Sequence, residues 1–315
     1  MAAPLARLDP AKFRDPAVTL TGAPRARVPL RALDTLWFNT GTLCNLTCGH
    51  CYIESSPKND RLVYLSSAEI GEYLDEIERQ RLGTSLIGFT GGEPFMNPDL
   101  PAMLNDVLSR GLRALVLTNA MKPMHKTKPA LLALRDRYGP RLTIRVSLDH
   151  YARRVHEEER GRRSWQPTID GLRWLAAHGF DIAVASRRLS GEVETEIRAG
   201  FAGLFRELGL ALDAEDPNDL TVFPEMEPDA DVPEITEECW GILGKLPESV
   251  MCSNSRMVVK FKGAPRPTVI ACTLLPYDPR FDLGSTLAGA AGAVALNHPH
   301  CAKFCVLGGG ACSGG

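Results

Sequence analysis

The chain has 315 residues, more than a single core usually serves, so one large unit and one small one are expected. Hydrophobic residues make up 44% and charged residues 23%, as in ordinary water-soluble proteins, and a net charge of −2 excludes a chain built to coat nucleic acid. The first ten residues lack the uninterrupted apolar core of a signal peptide, and the weakly polar run 284–296 is too short to span a bilayer, so no membrane partner is expected. Nine cysteines, an odd number, fit metal ligation better than disulfides and point to a reducing cytoplasm.

Residues 1–30 carry Pro4, Pro10, Pro16, Pro24 and Pro29 and read as an extended arm. An apolar strand is expected at 35–40, then a cysteine-bearing loop to about Pro57. Ser66 and Glu69 form a capping-box pattern opening an amphipathic helix with Ile70, Tyr73, Leu74 and Ile77 on one face. Strands then alternate with helices. Strands are expected at 85–90, 115–118, 142–148, 181–185 and 220–223, with helices near 97–110, 127–137, 164–178 and 192–208. Six strands separated by helices imply a parallel sheet with helices outside, an α/β fold. The arginines between Arg141 and Arg163 are interrupted by Glu157, Glu158 and Glu159 and read as a solvated helix face.

The stretch 224–238 holds seven acidic residues and three prolines and is expected to be a solvated linker. The division that follows is an arm at 1–30, a main unit at 31–224, a linker at 225–238 and a small cysteine-rich unit at 239–315. In the last, a hairpin around the turn 262–266 would bring Cys252 and Cys272 together, and Cys301, Cys305 and Cys312 add thiols from flexible backbone. Cys239 stands alone and reads as a buried apolar residue.

Cys44, Cys48 and Cys51 are separated by three and two residues, so one loop can turn all three inward. As thiolates they can hold three corners of an iron–sulfur cube, leaving one iron open. With His50 they also suit structural zinc, and the triplet alone does not separate the two.

The loop follows a strand, and some forty residues on another strand ends in Thr90-Gly91-Gly92-Glu93-Pro94. This combination resembles the radical S-adenosylmethionine enzymes over roughly residues 35–185. Their triplet usually has an aromatic residue before the third cysteine; here His50 takes that slot and Tyr52 follows. The resemblance implies a partial (β/α)6 TIM-like barrel whose ligands sit where strands end. It implies a [4Fe-4S] cluster whose open iron chelates S-adenosylmethionine, with Glu93 accepting from the methionyl amine and Gly91 and Gly92 allowing close backbone approach. Asn119, Ser147 and Asp149, at later strand ends, would meet the ribose or carboxylate, and Tyr52 and Pro94 are counted with them. His156, Arg160 and Gly161 resemble a recurrent His-Asp-x-x-Arg-Gly stretch, with Glu157 where Asp is usual. A salt-bridged helix start would also explain them, and Arg187 and Arg188, after the fifth strand, read as exposed basic residues, with contact to the cofactor carboxylate as the alternative.

The hairpin and its cysteines resemble the auxiliary-cluster extension called SPASM or twitch. Seven cysteines are usual there and five are present here, which implies one auxiliary iron–sulfur cluster, most readily [4Fe-4S], held by Cys252, Cys272 and two or three of Cys301, Cys305 and Cys312. Zinc is the alternative metal. The expected activity is hydrogen abstraction from a small-molecule or peptide substrate, with electrons from a flavodoxin or ferredoxin and the auxiliary cluster serving electron transfer or substrate binding. An arm of about thirty residues, short for a leader-binding domain, favours a small molecule or an unescorted target. A cyclase resembling the molybdenum-cofactor enzyme, on the strength of Gly314-Gly315, and a non-catalytic metal scaffold are the alternatives.

Overall fold

The fold is organised by one strand, Thr35–Asn39, buried along its whole length between two neighbours. This computed structural model describes residues 6–189, 191–224 and 229–310. In chain order the elements are β1 (Arg27–Val28), β2 (Thr35–Asn39), α1 (Ser67–Gln80), β3 (Leu86–Thr90), α2 (Leu100–Ser109), β4 (Arg113–Thr118), α3 (Lys122–Lys126) and α4 (Lys128–Tyr138). They continue with β5 (Leu142–Ser147), α5 (Arg153–Arg160), α6 (Trp165–Ala177), β6 (Asp181–Arg187), α7 (Glu194–Leu208) and β7 (Leu220–Phe223). The last are α8 (Cys239–Leu243), β8 (Ser255–Val259), β9 (Thr268–Ile270) and β10 (Val294–Ala295).

Strands β2 to β7 lie side by side in parallel, each joined to the next through at least one helix, as the alternation predicts. The sheet is an open partial barrel; β7 is one edge, and β8 and β9 extend the other in the order β7-β6-β5-β4-β3-β2-β8-β9. The predicted hairpin is therefore part of the main sheet: β8 pairs parallel with β2 and antiparallel with β9.

Side chains alternate between two cores. Leu36, Phe38, Ile87, Phe89 and Val116 face the helices. Trp37, Leu115 and Met257 face the barrel interior and join the C-terminal segments. α1 starts as its capping box requires, with Ser66 Oγ accepting from Glu69 N and the Glu69 carboxylate accepting from Ser66 N at 2.9 Å. No helix among the described residues is long and apolar enough to cross a membrane.

Over residues 229–238 the acidic stretch does not behave as a solvated linker. Val232 and Ile235 are buried, and Glu234 pairs with buried Arg25 of the N-terminal arm at 2.5 Å. The Glu234 carboxylate also accepts from Phe13 N at 2.6 Å and Leu20 N at 2.7 Å. Counting charges misses this because the partners of one carboxylate lie more than two hundred residues earlier. The arm is not one extended run: it turns at 10–13 and folds back so that Val18 bridges Pro24, and β1 then pairs with β10.

Gly88, the middle residue of β3, lies under the Trp37 indole: a Cβ there would stand 2.3 Å from Cε3. Gly88→Ala is expected to cost about 1–3 kcal/mol through overpacking, read as a lower thermal midpoint; an unchanged midpoint would contradict this packing.

Candidate functional site

A cavity of about 180 Å³ opens at the C-terminal ends of the parallel strands. It is lined by Cys44, Cys48, Cys51 and Tyr52 of the loop after β2, Gly91 and Gly92 after β3, Asn119 after β4, and Ser147 and Asp149 at the end of β5. Of the residues expected at the site, Glu93 and Pro94 alone among the barrel set are buried without lining it.

The reason lies in the Glu93 carboxylate. One oxygen accepts from Thr118 Oγ1 at 2.8 Å and Phe95 N at 3.2 Å, and the other from Asn119 N at 2.9 Å. Burial raises its pKa to about 6, against the pull of these donors. The carboxylate thus knots the end of β4 to the turn after β3. The glycines serve the same joint. A Cβ on Gly91, whose φ is +141°, would lie 2.5 Å from the Gly41 carbonyl oxygen, and one on Gly92 would lie 2.2 Å from that of Leu43. Gly92 N donates to Gly41 O at 2.8 Å and Glu93 N to Leu43 O at 3.1 Å. Their close approach is therefore to the start of the cysteine loop itself.

The loop is tied down on its far side too. Asn119 Nδ2 donates to Asn45 Oδ1 at 2.9 Å. Gly49 N donates to the Glu159 carbonyl at 2.8 Å, and the Glu159 carboxylate meets His50 Nδ1 at 2.7 Å. Arg187, read from sequence as exposed, lines the cavity instead. It donates from Nη2 to the His50 carbonyl at 2.7 Å, and its guanidinium lies 4.5 Å from the Tyr52 ring centre. Strand parity is the signal that finds it, since Ala183, Ala185 and Arg187 share one face of β6.

Asp149 is engaged by Arg160 through two bonds of 2.8 Å. Burial works to raise the Asp149 pKa, but the guanidinium holds it below the usual carboxylate range. Arg160 is salt-bridged, but at the last turn of α5 and not at a helix start, and it lines the cavity. His156 is buried beside Trp165, at 5.6 Å between ring centres.

Burial pushes the Cys44 thiol up to about 12 and raises Cys48 as well. Backbone N–H groups of Leu46 and Ser55 point at the sulfurs of Cys44 and Cys51 at 3.4 and 3.3 Å. Among the described residues no three Cys, His, Asp or Glu side chains converge at single-ion distances. The thiols ring a space, with N–H donors already aimed at sulfur, and this donor set fits an iron–sulfur cluster. Loading one must drive protons off the buried thiols.

The second cysteine group forms its own small cavity, lined by Cys252, Cys272, Cys301 and Cys305 together with His300, which sequence reasoning missed. Cys312 lies outside the described residues, as does the Gly314-Gly315 tail. Cys301 and Cys305 sit on a π-helical turn, Cys301–Leu307. Phe304 of the same turn faces the first cavity and packs against Tyr52 at 6.2 Å and Phe223 at 5.6 Å. Leu274 lines both cavities, so the two share a wall. Cys239 lines neither; its sulfur sits 3.4 Å from Thr236 N.

The profile of the Radical SAM superfamily matches residues 38–198. The chain is 32% identical over 169 residues to the antilisterial bacteriocin subtilosin biosynthesis protein AlbA of Bacillus subtilis (strain 168), an alignment covering 53% of this chain and 35% of that protein. It is 30% identical over 173 residues to the mycofactocin maturase MftC of Mycobacterium ulcerans (strain Agy99), covering 54% and 43%. The chain thus aligns with less than half the length of these curated relatives. In fold it is similar to Streptococcus suis SuiB bound to S-adenosylmethionine, with a TM-score of 0.58 at 12% identity, covering 80% of this chain and 63% of that one.

Glu93→Gln turns one of the two accepting oxygens into an amide that meets a donor. A loss of about 1–3 kcal/mol is expected, seen as a thermal midpoint lower by several degrees at the same metal loading. Thr118→Val, which removes one donor, should fall less; the reverse order would contradict the knot described.

Proposed function

Because the chain belongs to the Radical SAM superfamily, enzymes that use a [4Fe-4S] cluster and S-adenosylmethionine to modify substrates, we propose that Cys44, Cys48 and Cys51 hold that cluster and that S-adenosylmethionine occupies the cavity beside it. The observation that carries this is the meeting of three loop thiols with the Gly91-Gly92 turn around one space at the strand ends. When bound, the cluster supplies the electron that breaks the sulfonium C–S bond, giving methionine and a 5′-deoxyadenosyl radical that takes hydrogen from the substrate.

The chain's own residues then bind, orient and exclude. Tyr52, Asn119 and Ser147 offer polar contacts along the cavity rim. Arg187, propped on Tyr52, is the cation suited to a carboxylate, while Asp149 and Arg160 neutralise each other. Glu93 acts as a positioning residue beneath the site, holding Asn119 in register. Trp37, Leu117, Phe223, Leu274 and Phe304 form an apolar wall that keeps water from a reactive intermediate.

We further assign Cys252, Cys272, Cys301 and Cys305 to an auxiliary iron–sulfur cluster within a C-terminal unit at 239–315, following the main unit at 31–224. The shared wall at Leu274 supports electron exchange between that cluster and a substrate radical. The proposed substrate is a peptide side chain, with reducing electrons from a flavodoxin or ferredoxin. Support comes from the relatives, a bacteriocin biosynthesis protein and a maturase. Another comes from SuiB in complex with its precursor peptide.

Anaerobic reconstitution tests the assignment. The wild type should bind about eight irons as two cubes and release 5′-deoxyadenosine on reduction. Cys48→Ala should abolish that release. Cys272→Ala should keep it while halving the iron. Bound zinc with no cleavage by the wild type would overturn the reading.

A further inference from the structure

Arg256 carries a buried positive charge that is paired with no carboxylate among the described residues. Its side chain is 1% exposed. By contrast, buried Arg25 pairs with Glu234 and partly buried Arg160 with Asp149. The hydrogen bonds of Arg256 all go to backbone carbonyls: Nε to Ala290 at 2.9 Å, Nη1 to Cys252 at 2.6 Å and Ser255 at 2.8 Å, and Nη2 to Gly292 at 3.1 Å. No ion pair joins it to any described carboxylate.

Carbonyl dipoles orient a cation and partly solvate it, but they do not cancel its charge. Arginine cannot escape by losing its proton. A buried charge therefore calls for a counter-charge nearby. Among the described residues the nearest candidate lies at the four-cysteine cavity. Arg256 is bonded to the main chain of Cys252, whose side chain lines the four-cysteine cavity. A neutral thiol does not balance a guanidinium, whereas thiolates around an iron–sulfur cluster leave it net negative, and more so when reduced.

We propose that Arg256 is the built-in counter-charge of the auxiliary cluster and raises its reduction potential by favouring the reduced, more negative state. This rests on the assignment of Cys252, Cys272, Cys301 and Cys305 to an iron–sulfur cluster. Arg256 is here a positioning residue for charge: it touches no reacting atom.

The test uses full-length protein carrying Cys44→Ala, Cys48→Ala and Cys51→Ala, reconstituted anaerobically with ferrous iron and sulfide, so that only the auxiliary site reports. Redox titration followed by electron paramagnetic resonance gives the midpoint potential. Arg256→Met should shift it negative, and Arg256→Lys, which keeps the charge but not the four carbonyl bonds, should restore most of the shift. Equal shifts in the two variants, or none in Arg256→Met, would overturn the proposal while leaving the cluster intact. If Arg256→Met does not load, Arg256→Lys decides: loading at the parent potential supports the counter-charge. Loading at a shifted potential, or no loading, assigns Arg256 to packing. Absence of any iron–sulfur signal in the parent would remove the cluster assignment, and this proposal with it.

Discussion

Everything at the mouth of this barrel depends on two backbones lying closer than any side chain permits. The turn at Gly91-Gly92 presses against the carbonyls of Gly41 and Leu43, and two hydrogen bonds clamp the contact. That clamp fixes where the cysteine loop begins. The Glu93 carboxylate then carries the constraint to β4, and Asn119 returns it to the loop through Asn45. Three successive strand ends are thereby tied into one rim, and the three thiols of the loop line the same cavity.

Much of this was legible beforehand, for physical reasons. Strands β2 to β7 announced themselves as short apolar runs between helix-period segments, and α1 by its capping box. The cysteine spacing named the loop. What the residues did not reveal was how acids are employed. Glu93, which the resemblance places at the ligand, accepts from Thr118 Oγ1 and from the N–H groups of Phe95 and Asn119; Glu234, within a run that reads as solvated, neutralises Arg25. A carboxylate's role depends on which donors surround it, and those come from distant segments. Arg187 was obscured differently: arginine composition suggested solvent, while the alternation of β6 turned it inward.

The C-terminal unit is more closely wedded to the barrel than its separate cysteine group suggests. β8 is a member of the main sheet, the acidic stretch and arm bind each other, and one π-helical turn sends Cys301 and Cys305 to one cavity and Phe304 to the other.

The pairing of β8 with β2 also bears on how the molecule is made. β2 ends at Asn39 and its partner begins only at Ser255. During synthesis the strand that leads into the cysteine loop keeps one flank of unpaired amides and carbonyls until the far end of the chain has emerged, a span over which such a flank invites association with other chains. Closing so distant a contact is slow. The barrel is thus finished from its tail, and a ribosome that stops early releases a sheet with its most important strand still at an open margin.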